Sequence, residues 1–377
     1  VQVRLACKDA GSFNVDAAYP GPEVQALMQA KSNGMAGGDH VRGIDSVRFI
    51  AALWVVFSHL GFAPIFQSID RSTLLGFVLN GAMGVAFSGP AAVVVFFIIS
   101  GFCIHYPFAA DRPFAGVSYL IRRYLRVAPP MLVATAVADW AGLGGAQFFD
   151  AILWSLVAEL MYYTLYPFLR PIIGRGKLDV LLLASYLVAF AIWLAWPGQP
   201  GFAVFGWQLN WLVCLPAWLL GVKLAEVWAS TRTRVEEELP SRRVLWQWRL
   251  AVWAIASTCA ALNFHSAIPF SLTMNLFAAP AYFWLVRELQ CANPGGRASR
   301  TLEWAGTWSY SIYLCHMPVQ ALVRRYSEVA SLSPLLLWTI TFILVLAGSY
   351  AFYLAVEKPS HRIARWASRA ALRWKFT

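Results

Sequence analysis

"RGIDSVRFIAALWVVFSHLG", Arg42–Gly61, opens with charged residues, runs through a mostly apolar dozen, and then sets a histidine inside the apolar run. An ionisable side chain in a segment fit for hydrocarbon is costly, so it has either a partner or a task. On a helix at 100° per residue, Asp45, Arg48 and His59 fall within a stripe of roughly 60°. If that helix enters a membrane near Ser46, His59 lies about 20 Å from the inner boundary at 1.5 Å per residue, while Asp45 and Arg48 stay at the edge.

The rest of the chain supports the membrane reading. Its 377 residues are 59% hydrophobic and 13% charged, where soluble domains carry about 25% charged residues. Ten apolar stretches, near 46–66, 83–106, 127–143, 151–173, 180–196, 202–224, 250–264, 268–286, 304–323 and 334–356, suit helices crossing a ~30 Å hydrocarbon core. The predicted class is an all-α, polytopic membrane protein with about ten transmembrane helices in one bundle and both termini cytoplasmic. In that topology every Lys and Arg except Arg71, Arg324 and Arg325 lies in the N-tail, an inward loop, the C-tail or the cytoplasmic end of a span, which is the positive-inside pattern. A missed or extra span would scramble it. The excess of 30 basic over 19 acidic residues therefore reports topology, and nucleic acid has no place in the account. The stretch 127–143 opens with Pro129 and Pro130, which are expected to break the helix as it enters the membrane.

Residues 1–42 are polar and rich in small residues, with no visible signal peptide, and are expected to form a flexible cytoplasmic tail. Residues 43–360 form the expected transmembrane domain. In the segment 361–377, Arg362, Arg365, Arg369 and Arg373 share one helix face and Ile363, Trp366, Ala370 and Trp374 lie largely on another, as suits a helix on the inner membrane surface. The expected location is a bacterial inner membrane. Six cysteines are scattered with no C-x-x-C pair and read as apolar filler.

The polar residues inside the spans converge in depth. In "ILWSLVAELMYYTLYP", Glu159 also sits about 20 Å from the inner boundary, flanked by Ser155, Tyr162, Tyr163 and Tyr166 at helical spacing. In "TWSYSIYLCHMPVQ", Ser309, Tyr313, His316 and Gln320 share a face, with His316 about 18 Å up from the inner side. Each of these groups has a structural alternative: a packing histidine on a backbone carbonyl, a Glu held by a tyrosine, a hydrogen bond between helices. At the cytoplasmic edge "YLIRRYLRVAPP" carries Arg122, Arg123 and Arg126, which suit a phosphate by charge and geometry; anionic lipid or topology is the alternative. Just before them "FFIISGFCIHYPF" holds Ser100 and Gly101, a small pair that permits close backbone approach. Glu357 stands at the same edge, where an arginine is its expected partner.

A histidine can take a proton from a hydroxyl, and a carboxylate can orient it or stabilise its cation. An arginine cluster can hold a phosphate-rich donor such as a nucleotide thioester. Acyl transfer is the economical reading, with the donor's reactive arm reaching His59 and its phosphates held by Arg48, Arg122, Arg123 and Arg126. No spacing suits a metal. The competing class is a proton-coupled transporter with His59, Glu159 and His316 as a relay; it has no need of the arginine cluster.

These segments, in order, resemble the acyltransferase family 3 of multi-span membrane O-acyltransferases, over roughly residues 41–362. "GIDSVRFIAALWVVFSH" is similar to its first helix through Gly43, Asp45, Arg48 and His59, and "FFIISGF" to its second. "RRYLRVAP" matches the arginine element through Arg122, Arg123, Arg126 and Pro129. "WSLVAELMYYTLYP" resembles the tryptophan-to-tyrosine element through Trp154, Ser155, Leu156, Glu159 and Tyr163. "SYSIYLCHMPV" and "VEKPSHR" resemble the closing motifs through Ser311, Tyr313, Leu314, His316, Pro318, Glu357, Pro359 and Arg362. The resemblance implies ten transmembrane helices, an acyl-CoA donor, usually acetyl-CoA, and a hydroxyl acceptor on a carbohydrate or glycolipid. It puts His59 on the essential histidine and the arginine element on the proposed donor site. Leu160 stands where the family often has a second acidic residue, and the interval from Arg126 to Trp154 is shorter than usual.

Overall fold

The helix that decides the fold, α1 (Ile44–Leu60), begins at Gly43, whose φ of 94° lies in the region that glycine reaches without a Cβ penalty. Gly43 has no side chain to cap the orphan N–H groups of the first turn. Glu303 supplies the cap from far along the chain: its Oε1 accepts from Gly43 N at 3.0 Å, Ser46 N at 3.0 Å and Ser46 Oγ at 2.5 Å. A carboxylate at a helix N-terminus also meets the positive end of the helix dipole.

The computed structural model describes residues 41–66, 72–109, 113–197, 201–231, 241–266, 268–292, 299–327 and 332–373. Residues 1–40 of the expected N-terminal tail, Arg71 and Trp374 lie outside these residues. Among them every regular element is helical. After α1 come α2 (Leu74–Ala86), α3 (Gly89–Ala109), α4 (Gly116–Trp140), α5 (Trp154–Ile173), α6 (Leu178–Ala195), α7 (Gly206–Thr231), α8 (Arg242–Ser266), α9 (Phe270–Ala292), α10 (Arg300–Gly306), α11 (Ser309–Ser327), α12 (Pro334–Phe352) and α13 (Lys358–Arg373).

The centre is the packing of α3 on α7. A Cβ on Gly101 would lie 2.0 Å from the Trp218 carbonyl oxygen, and one on Gly221 would lie 1.9 Å from that of Ile98. The two backbones touch because both positions lack a side chain, as small residues allow between membrane helices. Around this contact Phe102, Tyr162, Tyr166 and Trp218 are fully buried. A second core joins α1, α10, α11 and α12 through Ala52, Val56, Trp308, Ile312 and Val345.

Five helical stretches are long and apolar enough to cross a membrane: Leu74–Ala109, Gly145–Ile173, Leu178–Ala195, Ala203–Ser230 and Pro334–Leu372. Leu183, Leu187 and Leu194 of α6 face outward uncovered by protein, and a helix that is apolar on faces its own fold leaves bare is matched to lipid. All ten stretches expected to span coincide with helices. Those outside the five are short, as α1 with 17 residues, or diluted by polar side chains, as α4 with Arg122, Arg123, Arg126 and Asp139.

Two local expectations are corrected, and the C-terminal helix gains a packing detail. Pro129 and Pro130 lie inside a continuous α4. Pro129 has no N–H for the Leu125 carbonyl, and the Ser360 hydroxyl donates to that carbonyl instead, so the helix survives the loss. The second span is preceded by a separate helix, α2, which Thr73 caps by accepting from Gly76 N at 3.1 Å. The C-terminal helix packs on α4 through neither of the two faces read from sequence. It buries the small stripe Ser360, Ala364 and Ser368, and Ser118 Oγ donates to the Ser368 carbonyl at 2.8 Å.

Candidate functional site

Four helices, α1, α3, α4 and α5, close with α11 around a cavity of about 110 Å³. Its polar wall is Arg48, Ser100, Arg123, Arg126, Ser155, Glu159, Tyr163, Ser309, Tyr310 and Tyr313. Most of the residues singled out in the sequence therefore meet at one place, although they come from five separate segments.

Glu159 is held by its own helix and by its neighbour. Its Oε1 accepts from Tyr163 Oη at 2.5 Å, one turn on, and from Ser100 Oγ at 2.8 Å. Both groups donate, so the carboxylate is fixed as an acceptor. Ser100 brings its hydroxyl from α3 to this carboxylate on α5. Arg123 packs its guanidinium over the rings of Tyr119 and Tyr163, 5.8 and 5.7 Å from their centroids, and its Nη2 donates to the Cys103 carbonyl at 3.0 Å. Arg48 pairs with Asp45 at 3.4 Å. Three guanidiniums and Glu159 line the cavity, with Asp45 paired to Arg48 at its margin and Glu357 near enough to act on Arg48 and Arg126. The lining itself carries more cations than anions, and guanidinium donors in a confined space suit an anionic group.

Two π-helical turns interrupt the helices of this region, and such turns are rare and frequent at functional sites. The first, Phe149–Leu153, leaves the Ile152 carbonyl to accept from Ser155 Oγ at 3.0 Å and Tyr313 Oη at 3.3 Å. These two hydroxyls also bond each other at 2.6 Å. The second, Tyr353–Glu357, joins α12 to α13 and turns Glu357 inward. Glu357 Oε2 accepts from Ser311 Oγ at 2.5 Å, and its Oε1 lies 3.5 Å from His361 Nε2. The direct hydrogen bond of Glu357 is to a serine, while the expected arginines, Arg126 and Arg48, act on it electrostatically.

His59 does not line the cavity. Its ring faces that of His316, with centroids 5.2 Å apart, and His316 in turn packs beside Tyr313 at 6.2 Å. The expected neighbour Glu159 bonds Ser100 and Tyr163 instead. His316 is fully buried and its Nδ1 lies 3.1 Å from the Ile312 carbonyl. A carbonyl only accepts, so Nδ1 carries the hydrogen and Nε2 presents its lone pair. That Nε2 is buried without a hydrogen-bond partner among the described residues. From Arg48 to His59 along α1 is about 16 Å at 1.5 Å per residue, so the histidine pair stands beyond the cavity on the side away from the Arg48 end.

Of the remaining residues, Arg122 is exposed and lines no part of the cavity. Trp154 is packing: its ring stacks on Phe202 at 5.5 Å and meets Phe97 edge-on at 6.3 Å. The sequence reading missed Tyr310, whose Oη donates to the Val127 carbonyl at 3.0 Å. Its signal was its place three residues before Tyr313. It also missed Glu303, which no spacing could connect to α1. Among the described residues no group of three or more His, Cys, Asp or Glu side chains could hold a metal.

Comparison with known proteins identifies a family. The family model described as "Acyltransferase domain", that of acyltransferase family 3, matches residues 41–354. The chain is similar to Nodulation protein 10 of Rhizobium leguminosarum bv. viciae, 26% identical over 335 residues that cover 74% of this chain and 83% of that protein. No solved structure matches the chain. With a family match that runs from the start of α1 into α12 and encloses every residue of the cavity wall, the chain belongs to the membrane acyltransferases of acyltransferase family 3.

Proposed function

We propose that this chain moves an acetyl group from cytosolic acetyl-CoA to a hydroxyl of a carbohydrate or glycolipid acceptor, in a bacterial inner membrane that all ten apolar stretches cross. The single observation that carries the reading is the alignment along α1 of a cation-rich cavity with a histidine pair. Arg48, Arg123 and Arg126 suit the anionic donor. The cavity of about 110 Å³ is too small for the whole coenzyme, so its arginines take up phosphate groups of the donor while the arm with the thioester extends along α1 toward His59. Glu159, held by Ser100 and Tyr163, fixes the charge balance of the cavity.

In the transfer, the acceptor oxygen forms a bond to the thioester carbonyl carbon, the carbon–sulfur bond breaks, and the coenzyme leaves as its thiolate. His59 takes the hydroxyl proton as general base, or carries the acetyl group on a ring nitrogen between donor and acceptor. His316 accepts from or packs on His59 and holds its ring. Transport by a relay of His59, Glu159 and His316 is less well supported, because Glu159 is bonded away from both histidines and family membership speaks for acyl transfer.

Binding of acetyl-CoA to the detergent-purified chain, followed by calorimetry, tests the donor side. Saturable binding that weakens in both Arg123→Gln and Arg126→Gln is expected; equal binding in wild type and both variants contradicts the placement of the donor.

A further inference from the structure

A second, larger cavity of about 990 Å³ lies on the other side of α1, bounded by α1, α3, α8 and α9. It reaches the top of the range of roughly 300–1,000 Å³ found for sites of drug-sized ligands, and nothing in the acyl-transfer reading uses it. Its two ends differ in chemistry. At one end Gly43 of α1 meets Ala292 of α9, and the cavity is lined there by Ser241, Arg242 and the bidentate pair Arg249–Glu288, with Nε–Oε1 at 2.6 Å and Nη2–Oε2 at 3.0 Å. At the other end the lining is Trp54, Trp253, Ala256 and Phe277, and Trp253 Nε1 is spent on the Ala86 carbonyl at 3.0 Å. From Arg242 to Ala256 is about 21 Å of helix at 1.5 Å per residue, a greater depth than half of a ~30 Å hydrocarbon core.

We propose that this groove binds an anionic phospholipid, with the headgroup phosphate at Arg242 and the start of α8 and an acyl chain along the tryptophan-lined slot. Three observations select that occupant. The polarity gradient runs along the groove, charged at one end and without an ionisable side chain at the other, as an amphipathic molecule requires. The charged end carries the exposed cation Arg242 in the first turn of a 25-residue helix, where the helix dipole and N–H groups favour an anion. Ser241 Oγ accepts from Val244 N at 3.3 Å, so its hydroxyl hydrogen remains to donate to a phosphate oxygen. Glu288 lends no net negative charge there, since Arg249 neutralises it. The rim also carries exposed indoles, Trp246 at the charged end and Trp253 deeper, and indole rings suit the boundary between headgroup and chain.

Native mass spectrometry of the full chain in detergent, titrated with phosphatidylglycerol and with phosphatidylcholine of the same acyl chains, tests this. The expected result is a saturable phosphatidylglycerol adduct at least fivefold tighter than the phosphatidylcholine one. It weakens at least fivefold in Arg242→Gln, and Ala256→Phe, which fills the slot, excludes both lipids. Ile50→Trp, at an exposed position on the same wall, replaces Ala256→Phe if that variant does not fold. Equal affinity for the two lipids, or an undiminished phosphatidylglycerol adduct in Arg242→Gln or in the filled groove, overturns the proposal. Retained acetyl-CoA binding in these variants separates this site from the donor cavity.

Discussion

His59 and His316 lie ring beside ring, 5.2 Å between centroids, one from α1 and the other from α11. The Ile312 carbonyl fixes the His316 hydrogen on Nδ1, 3.1 Å away, which leaves Nε2 as the only group on that ring able to accept.

His316 is therefore expected to act through His59. His316→Leu should lower kcat by about tenfold, less than the 10²–10⁴-fold typical of losing a general base, and should leave KM for acetyl-CoA unchanged. Steady-state kinetics on the purified chain decides it. A raised KM with kcat intact would move His316 to donor binding.

The arginines should divide by position. Charge-assisted hydrogen bonds contribute about 1.5–3 kcal/mol, so Arg123→Gln or Arg126→Gln should raise KM for acetyl-CoA by about 10- to 100-fold. Arg122→Gln, outside the cavity, should stay within about twofold, the scale of an exposed charge. A loss in Arg122→Gln equal to that in Arg123→Gln would mean that the cavity is not where the donor's phosphates are read.

Glu303 caps a helix 257 residues away in sequence. Replacing a helix cap costs about 0.5–2 kcal/mol, and Glu303→Ala removes three acceptor contacts at once, so a loss near 2 kcal/mol is expected. A lowered thermal midpoint, measured with bound lipid held constant, would show it. An unchanged midpoint would mean that α1 starts without this cap.

Gly101→Ala puts a methyl group 2.0 Å from the Trp218 carbonyl oxygen, and neither backbone can yield cheaply. Overpacking typically costs 1–3 kcal/mol, and here it also displaces Ser100 from Glu159. The expected outcome is poor accumulation of folded protein by size-exclusion chromatography. Wild-type yield and activity would contradict the tight α3–α7 contact.

Much of the site was legible because polar residues are so rare in the apolar spans that each one stands out. The stripe of Asp45 and Arg48, the turn from Glu159 to Tyr163 and the face of Tyr313 and His316 all follow from helical period. The partners of those residues were not legible. Depth placed Glu159 and His59 level, but helix rotation decides contact, and Glu159 meets Ser100 of α3 instead. The Glu303 cap and the Ser360 bond to the Leu125 carbonyl join segments hundreds of residues apart, where no local pattern carries the information. The same polar residues that build the cavity also dilute the helices holding them, which is why composition alone supports five crossings.

Single-turnover transfer from acetyl-CoA labelled in the acetyl group tests the central claim most directly. The purified chain is expected to release free coenzyme A and move the label to a hydroxyl acceptor or water, and His59→Ala to lower this by about 10²–10⁴-fold while still binding acetyl-CoA. Label trapped on His59 before acceptor is added would assign it as carrier, and label passing straight to acceptor would assign it as base. Undiminished transfer in His59→Ala would contradict the account.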